Sequence, residues 1–379
     1  MIKKMQPSIA INSTTRARDP IVMCAADDAY VIPLAVTLTS AAQHLSPGNR
    51  LRVYLVDAGI QEANWHGLRE SLAREPVEIV RIPANVARLQ HLKTSHHISH
   101  TAFIRLLAAQ WLPASLDRVI YLDSDLLFRD DLSQLWGLDL GGAYCAAVPD
   151  IACPYIDARF AHCNFRRSAP YMATLNPIRN WRQFGLNPGA HYFNSGLMLI
   201  DLVAWRENSL GDRFLKCLAD HPRDVWCWDQ YALNVVLANH WKRLPLRWNQ
   251  GTHAFEYPSL RHSPVLADDF REMIERPAVI HFTTEFKPWS YGSRHPQRKD
   301  YFAALQGTAW RDWQPAKPAV SLRRACQFAG AGLAKRATIA VRKWKGLFYR
   351  QPNSVRATRL PAPLDPIPSA AAESISVPE

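Results

Sequence analysis

The chain contains 379 residues, of which 48% are apolar and 21% charged. This composition excludes an intrinsically disordered protein and allows one large domain with an appendage or two modest domains. The formal net charge is +12, but residues 1–312 hold 34 Lys or Arg and 30 Asp or Glu, whereas residues 313–364 hold 11 Lys or Arg and no acid. The positive charge therefore belongs to the C-terminal tail and predicts an anionic partner for the tail. A basic-tail nucleic-acid-binding protein is the main non-enzyme alternative, although no RNA-recognition or zinc motif is present.

A flexible leader is expected over residues 1–19, followed by strands and helices in alternation. The leader lacks the apolar segment of a secretory signal, and no stretch approaches the roughly 18 apolar residues of a membrane span. The alternating elements are a strand at 21–26, a helix with Ile32, Ala35, Val36, Thr39 and Ala42 on one face, a strand at 51–56, a helix at 62–73 and a strand at 77–82. This order predicts an α/β fold with a doubly wound, mostly parallel sheet.

The second part of the chain continues the pattern around one long irregular segment. The predicted elements are a helix at 103–111, strands at 118–122, 143–148 and 196–200, helices at 202–220 and 229–238, and a short strand at 279–280. Residues 150–190 are irregular and rich in Pro, Asn, Arg and aromatic residues. Because loops of this length are uncommon in compact domains and are often functional, we expect this segment to serve a site.

Two aspartates, Asp123 and Asp125, follow the predicted strand at 118–122 and are separated only by Ser124. Ligands of open α/β sheets gather at the carboxyl ends of the strands. Two carboxylates at this spacing can both reach one hard cation such as Mg²⁺ or Mn²⁺, which would neutralise a leaving diphosphate. The alternative is that the two acids cap a helix before the turn at 130–132.

A histidine and a lysine follow the last predicted strand. His281 comes directly after residues 279–280, and Lys287 lies six residues further on. A neutral imidazole would complete the metal site, and the ammonium group would bind a phosphate oxygen. The alternative is a core histidine and a surface lysine that lies beside Trp289.

Taken together, six segments resemble glycosyltransferase family 8, the retaining group that includes glycogenin and bacterial lipopolysaccharide glucosyl- and galactosyltransferases. They occur in matching order over roughly residues 20–290, and they are Cys24-Ala25-Ala26-Asp27-Asp28-Ala29-Tyr30, Phe103-Ile104-Arg105-Leu106, Tyr121-Leu122-Asp123-Ser124-Asp125, Tyr192-Phe193-Asn194-Ser195-Gly196 with Trp205-Arg206, Trp228-Asp229-Gln230, and His281 to Trp289. The resemblance implies a GT-A fold with a single catalytic domain over residues 20–312. It also implies that this domain binds a UDP-hexose as donor and Mn²⁺ (or Mg²⁺) as cofactor.

The same resemblance implies roles for individual residues. Contacts with the donor are expected from Ala25, Asp27 and Tyr30 at the uracil and ribose, from Arg105, Asp123, Ser124 and Lys287 near the sugar or diphosphate, and from Asn194 and Gly196 at the sugar. The implied metal ligands are Asp123, Asp125 and His281, and the implied catalytic residues beneath the anomeric carbon are Asp229 and Gln230. Front-face attack and a covalent intermediate are both open as routes to retention. Structural alternatives are a turn at 194–196 and a helix cap at Asp229.

Two residues depart from the family pattern. Thr284 stands where the family usually has Gly, which lets the backbone approach the diphosphate closely. Ala29 stands where bacterial members commonly have a polar residue. These departures keep open a non-catalytic member that only binds nucleotide-sugars. A nucleotidyltransferase is less favoured, because no Gly-rich phosphate loop is present.

The acceptor and the membrane are the remaining expected partners. Residues 150–190 are a candidate part of a carbohydrate or glycolipid acceptor cleft, with a self-packed loop as the alternative, and the side chains concerned are Tyr155, Arg166, Arg167, Tyr171, Trp181 and Arg182. In the basic tail at 313–350, apolar residues recur at steps of three and four, with Lys and Arg opposite them. We expect residues 321–350 to lie on an anionic membrane surface; the alternative is a helix docked on the catalytic domain with its basic face in solvent. Residues 351–379 are expected to be disordered. Seven cysteines without paired spacing favour a cytoplasmic protein. With the basic tail, this predicts a protein that is peripheral on the inner face of the cytoplasmic membrane. No nucleic acid is expected as a partner.

Overall fold

The computed structural model describes residues 19–84, 89, 100–161, 164–285, 287–317 and 337–344. The expectations for residues 1–18, for 318–336 and 345–350 of the tail, and for 351–379 lie outside the described residues. Within them, the chain forms a large and a small β-sheet, with helices on both faces of the large one.

The two sheets are built from strands of two to nine residues. They are β1 (Ile21–Ala26), β2 (Leu51–Asp57), β3 (Val77–Pro83), β4 (Arg118–Leu122), β5 (Leu126–Phe128), β6 (Cys145–Pro149), β7 (Phe193–Asp201), β8 (Trp241–Arg243), β9 (Gln250–Gly251) and β10 (Val279–His281). The large sheet has the order β3-β2-β1-β4-β7-β6-β8, in which only β7 is antiparallel to its neighbours. The predicted mostly parallel, doubly wound sheet is confirmed. The carboxyl ends of β1, β4, β6 and β8 therefore lie at one edge, beside the amino end of β7.

Helices cover this sheet on both sides. They are α1 (Val31–Gln43), α2 (Glu62–Leu72), α3 (Ala108–Trp111), α4 (Ser133–Trp136), α5 (Phe165–Ser168), α6 (Leu202–Glu207), α7 (Leu210–Asp220), α8 (Trp228–Val236), α9 (Ala267–Glu275) and α10 (Arg298–Leu305). On one face of β1, Val22 and Cys24 belong to a buried cluster with Leu34 of α1, and on the other face Met23 belongs to a cluster with Phe103. Burial on both faces explains why the strands are apolar without alternation.

Three predicted elements differ from the observed ones. The helix expected at 103–111 is a 3₁₀ helix over His100–Leu107 that continues into α3. The helix expected at 202–220 is divided into α6 and α7, because Ser209 adopts the left-handed conformation with φ of 47° and ends the first helix. The strand expected at 196–200 begins at Phe193, so residues 194–196 lie inside β7 and the turn alternative is wrong.

The small sheet was not predicted, because strands of two or three residues carry no readable period. In it β10 pairs antiparallel with β5, which places His281 opposite Leu126, and parallel with β9. The chain enters β5 directly from the turn that follows β4. The pairing of β5 with β10 therefore brings His281 beside that turn.

The tail contributes a short helix at 337–344. Its Arg342 Nη1 donates to Met172 O at 2.5 Å, and its Lys343 Nζ lies 5.5 Å from the centroid of the Tyr171 ring, whereas Trp344 is 62% exposed. Basic side chains of this helix thus face the segment at 150–190. The docking alternative expects contact with the catalytic domain but a solvated basic face, so the contact agrees with it and the orientation of Arg342 and Lys343 does not. No helix in the described parts of the chain has both the length and the hydropathy needed to span a membrane.

Candidate active site

Asp123 and Asp125 lie in the turn between β4 and β5, which neighbouring strands hold in place. The Asp123 amide donates to Gly196 O in β7 at 2.8 Å, and Ser124 Oγ donates to Ala25 O in β1 at 2.9 Å. A strand follows the turn directly. The two aspartates therefore do not precede a helix, and the capping alternative is wrong.

The three expected metal ligands converge. His281 Nε2 lies 3.6 Å from Asp123 Oδ2 and 3.2 Å from Asp125 Oδ1, and one ligand atom from each residue lies within 4.8 Å of the others. On the other side of the ring, His281 Nδ1 lies 2.9 Å from Asn249 Oδ1, while Asn249 Nδ2 donates to Asn194 Oδ1 at 2.9 Å. Because the amide oxygen only accepts, Nδ1 carries a proton, and Nε2 is the ring nitrogen that could bind a cation together with the two carboxylates. This set of two oxygens and one nitrogen fits Mn²⁺ or Mg²⁺.

Gly196 makes this convergence possible. A Cβ atom at this position would lie 2.7 Å from Asp123 Oδ2 and still closer to His281 Cε1. The glycine is therefore required for space rather than for a positive φ, since Gly196 is not among the residues with positive φ. The structure places Gly196 against two metal-ligand candidates.

Lys287 extends the site beyond the carboxylates. Its Nζ lies 2.6 Å from Asp125 Oδ2 and also donates to Phe282 O. Burial alone would raise the pKa of Asp125, but the Lys287 ammonium and the His281 ring hold it well below its ordinary value. Burial opposes the charge of Lys287, yet Asp125 outweighs burial and raises the lysine pKa. Both groups are therefore charged at neutral pH.

Arg105 joins the metal-ligand candidates to the expected catalytic residues. Its guanidinium is buried, with Nη2 2.7 Å from Asp123 Oδ1, Nε 3.0 Å from Asp229 Oδ2 and Nη1 donating to Ser195 O at 2.9 Å. It also lies over the Tyr121 ring, 4.6 Å from the centroid. Burial disfavours the charged guanidinium, but Asp123 and Asp229 raise the pKa of Arg105. Burial also raises the pKa of Asp229 above its ordinary value, against the opposing effect of Arg105.

Gln230 belongs to a hydrogen-bond network that reaches the metal-ligand candidates. Its Nε2 donates to Asp150 Oδ2 at 2.8 Å, and its Oε1 accepts from the Ser195 amide at 3.1 Å. Asn194 Nδ2 donates to the same Asp150 oxygen at 3.2 Å, and Asn194 Oδ1 accepts from Asn249, the partner of the His281 ring. One continuous set of amides and carboxylates therefore orients both ends of the site.

A cavity of about 460 Å³ brings these residues together. Its lining includes every expected site residue except Gly196, namely Ala25, Asp27, Tyr30, Arg105, Asp123, Ser124, Asp125, Asn194, Asp229, Gln230, His281 and Lys287. Near one end, Asp27 Oδ1 is buried and has no hydrogen-bond partner in the described parts of the chain, so it is available to accept from a ligand. Tyr30 contacts the edge of Trp289, with 6.3 Å between the ring centroids.

Comparison with known proteins identifies the fold around this cavity. The sequence model of glycosyl transferase family 8 matches residues 20–293. The chain belongs to glycosyltransferase family 8. General stress protein A of Bacillus subtilis (strain 168) is 28% identical over 295 residues, which cover 76% of this chain and 94% of that protein. Lipopolysaccharide 1,2-glucosyltransferase of Escherichia coli (strain K12) is 27% identical over 291 residues, which cover 76% of this chain and 78% of that protein. The crystal structure of galactosyltransferase LgtC with donor and acceptor sugar analogues has a TM-score of 0.63 and 25% identity, over 77% of this chain and 99% of that one.

Membership in this family makes the chain a glycosyltransferase with a GT-A fold. Its two departures from the family pattern can be located. Thr284 lines the cavity beside Thr283 and Glu285, and it is not among the residues with positive φ, so the backbone there does not require glycine. Ala29 lies in a 3₁₀ turn over Asp28–Tyr30 and does not line the cavity.

The glycosyltransferase also carries backbone strain next to Asp229. Trp228 begins α8 with φ of 35°, a conformation that is rare for a bulky side chain and costs on the order of 1–3 kcal/mol. Cys227 occupies the N-cap position, so Asp229 lies in the first turn and the cap alternative for it is wrong. The strained residue fixes the start of the helix that presents Asp229 and Gln230 to the cavity.

Two polar residues of the site were not predicted from the sequence. Asp150 directly follows β6, just as Asp123 follows β4, and this position at a strand end was a usable signal. Asn249 lies in a 3₁₀ helix, and its partners are 32 and 55 positions away in the chain. No local pattern marks it.

Proposed function

We propose that this glycosyltransferase moves a hexose from UDP-glucose or UDP-galactose to a glycan or lipopolysaccharide-type acceptor, with Mn²⁺ (or Mg²⁺) and with retention at the anomeric carbon. The observation that carries the proposal is the convergence of Asp123, Asp125 and His281 beside Lys287 at the carboxyl edge of the sheet. The similarity to a lipopolysaccharide glucosyltransferase and to a galactosyltransferase supports the choice of donor and acceptor class. We further propose residues 20–312 as the catalytic domain.

At the leaving group, Asp123, Asp125 and His281 would hold the cation, which would supply Lewis-acid neutralisation of the diphosphate. Asn249 keeps the His281 ring in the tautomer that can bind it. Lys287 donates from Nζ to a diphosphate oxygen and holds the leaving group in place. At the other end of the donor, Asp27 accepts from the nucleoside while Ala25 and Tyr30 form the walls around it.

At the anomeric carbon, Asp229 and Gln230 form the floor of the donor site. Asp229 Oδ2 is already engaged by Arg105 Nε at 3.0 Å and by Ser195 Oγ at 3.1 Å, which leaves it poorly suited to form a covalent bond. Gln230, whose amide is held by the Ser195 amide and by Asp150, adds a neutral dipole to this floor. These contacts favour front-face attack. The bond from the anomeric carbon to the diphosphate breaks, the acceptor oxygen bonds to the same face, and the acceptor proton passes to the diphosphate. The covalent route would have to use a carboxylate whose nucleophilicity is reduced by its ion pair with Arg105.

The tail is proposed to hold the enzyme at the inner face of the cytoplasmic membrane. Residues 313–364 carry 11 Lys or Arg without an acid, and each basic side chain near an anionic leaflet contributes on the order of 1 kcal/mol. In the helix at 337–344, Val341 is 49% exposed and Trp344 is 62% exposed, although Arg342 contacts Met172. Docking of this short helix and membrane contact of residues 321–350 are therefore compatible. Flotation with anionic liposomes should be lost on removal of residues 313–379, and equal flotation of the shortened chain would refute the proposal.

Donor hydrolysis tests the main proposal without knowledge of the acceptor. The purified chain is incubated with UDP-glucose, UDP-galactose and GDP-mannose, each with Mn²⁺ and with EDTA, and nucleoside diphosphate release is measured. We expect Mn²⁺-dependent release from a UDP-hexose and its loss in Asp123→Ala. Metal-independent release, or binding of UDP-hexose without any release, would contradict the proposal.

A further inference from the structure

A second cavity, of about 420 Å³, opens at the same edge of the large sheet as the donor cleft. Three arginines line it: Arg243 at the end of β8, Arg167 in α5 and Arg261 in a 3₁₀ helix over Leu260–His262. The lining contains no Asp or Glu. We call it the arginine cavity. Its volume falls within the range of small-molecule sites, about 300–1,000 Å³.

Arg243 and His191 form the fixed part of this cavity. Arg243 Nη2 pairs with Asp269 Oδ2 at 2.9 Å, and its Nη1 donates to His191 Nε2 at 3.2 Å. The opposite ring nitrogen, Nδ1, donates to Pro154 O at 3.1 Å, so the imidazole is neutral and accepts from the arginine. Tyr155 stacks on this ring at 4.9 Å between centroids. Arg243 is thus oriented from two sides.

Arg167 and Arg261 bring positive charge to the arginine cavity that no ion pair within the described residues balances. Both side chains are exposed, and neither forms an ion pair with any residue that the structure describes. Both guanidinium groups line a cavity that offers them no carboxylate. An anion in the cavity could pair with them, and the planar fork of arginine matches the oxygens of a phosphate or carboxylate.

The arginine cavity lies close to the donor cleft. His191 lines the first and Asn194 lines the second, and three residue steps of extended chain span at most about 11 Å. An oligosaccharide acceptor can bridge this distance. The basic helix at 337–344 contacts the chain shortly after Arg167, where its Arg342 donates to Met172 O. The positive field of both groups would steer an anionic acceptor to this edge.

We propose that the arginine cavity binds a phosphate or carboxylate substituent of the acceptor glycan, so that the enzyme selects acceptors that carry such a group. The inference rests on the proposed transferase function and names the acceptor class of the same edge of the sheet. The cavity is separate from the donor cleft, and none of its arginines contacts the expected donor or metal residues.

Calorimetric titration of the full chain tests the proposal, with UDP and Mn²⁺ saturating so that the donor cleft is filled. The probes are glucose 6-phosphate, glucuronate and glucose. We expect the two anionic sugars to bind at least about tenfold more tightly than glucose, and Arg167→Ala/Arg261→Ala to weaken them by about tenfold. The control Arg179→Ala/Arg271→Ala removes the same charge from exposed positions outside the cavity and should bind them as the wild type does.

Equal affinity for glucose and the anionic sugars would overturn the proposal, as would equal losses in both double variants, because bulk charge would then explain the binding. Hydrolysis of UDP-hexose by the wild-type chain distinguishes failure of the acceptor inference from failure of the proposed transferase function. If hydrolysis occurs but the anionic sugars do not bind, the inference fails and the transferase function stands. If the sugars bind as expected but no UDP-hexose is hydrolysed, the cavity binds anions and its assignment to an acceptor is overturned.

Discussion

Substitution of Gly196 by alanine is the sharpest probe of how the site is assembled. The new Cβ would lie 2.7 Å from Asp123 Oδ2, whereas ordinary van der Waals contact begins at 3.4 Å, so this oxygen must withdraw by about 0.7 Å and the His281 ring by more. Ligand distances in metal sites tolerate only about 0.2 Å. The substitution therefore separates two metal-ligand candidates without removing either.

We expect Gly196→Ala to weaken Mn²⁺ binding by about 10–100-fold, comparable to loss of a group that orients a ligand, and to lower kcat for UDP-hexose hydrolysis by about 100-fold. The extra methyl group in a packed site should destabilise the metal-free protein by about 1–3 kcal/mol. Calorimetry gives the Mn²⁺ affinity, diphosphate release gives kcat, and urea unfolding in EDTA gives the stability.

Gly137→Ala is the matched control. Gly137 has φ of −77°, and a Cβ there would meet nothing within 4 Å, so the same methyl group is added where space exists. This variant should keep both the affinity and the rate. If Gly196→Ala binds Mn²⁺ as tightly as Gly137→Ala does, the close approach of Asp123 and His281 is not what forms the site.

Three further substitutions test the surroundings of the site. Asn249→Ala should weaken Mn²⁺ binding by about 10–100-fold, because the His281 ring loses the partner that fixes its tautomer, and unchanged affinity in calorimetry would count against this role. Arg105→Met should destabilise the fold by about 3–5 kcal/mol in urea unfolding, because Asp229 is left buried without its partner, and a loss below that of an ordinary surface substitution would show that the pair is dispensable. Burial, with a smaller contribution from Lys287, lowers the pKa of His295 to about 4 from an ordinary value of 6.5. Folding therefore favours its neutral form, and stability present above pH 6.5 should fall as the pH drops toward 4. In His295→Gln this fall should be smaller, and parallel stability curves would rule out the assignment.

From the sequence alone, the buried strands and the acidic residues that directly follow them could be predicted. The apolar runs of β1, β2 and β4 predict a parallel sheet because both faces are buried, and Asp123 and Asp125 stand at the carboxyl edge where such sheets bind ligands. The position of His281 and Lys287 after another short strand, together with the family resemblance, pointed to these two residues, which the structure brings to the same turn.

The rest depends on contacts between distant parts of the chain. The small sheet brings His281 to the aspartates through strands of two or three residues, too short to show a period. Asn249 is recognisable only from its contact with the His281 ring, 32 positions away. The sequence marked Gly196 as a sugar contact, but only the geometry reveals that its missing side chain leaves room for Asp123.

Direct titration of Mn²⁺ tests the central claim that Asp123, Asp125 and His281 hold one cation at the donor site. Calorimetry with UDP present should give one Mn²⁺ per wild-type chain. The ion should be lost in His281→Ala, while His262→Ala, which alters a histidine outside the donor cleft, should bind one ion as before. Full Mn²⁺ binding and Mn²⁺-dependent UDP-hexose hydrolysis in His281→Ala would contradict the account.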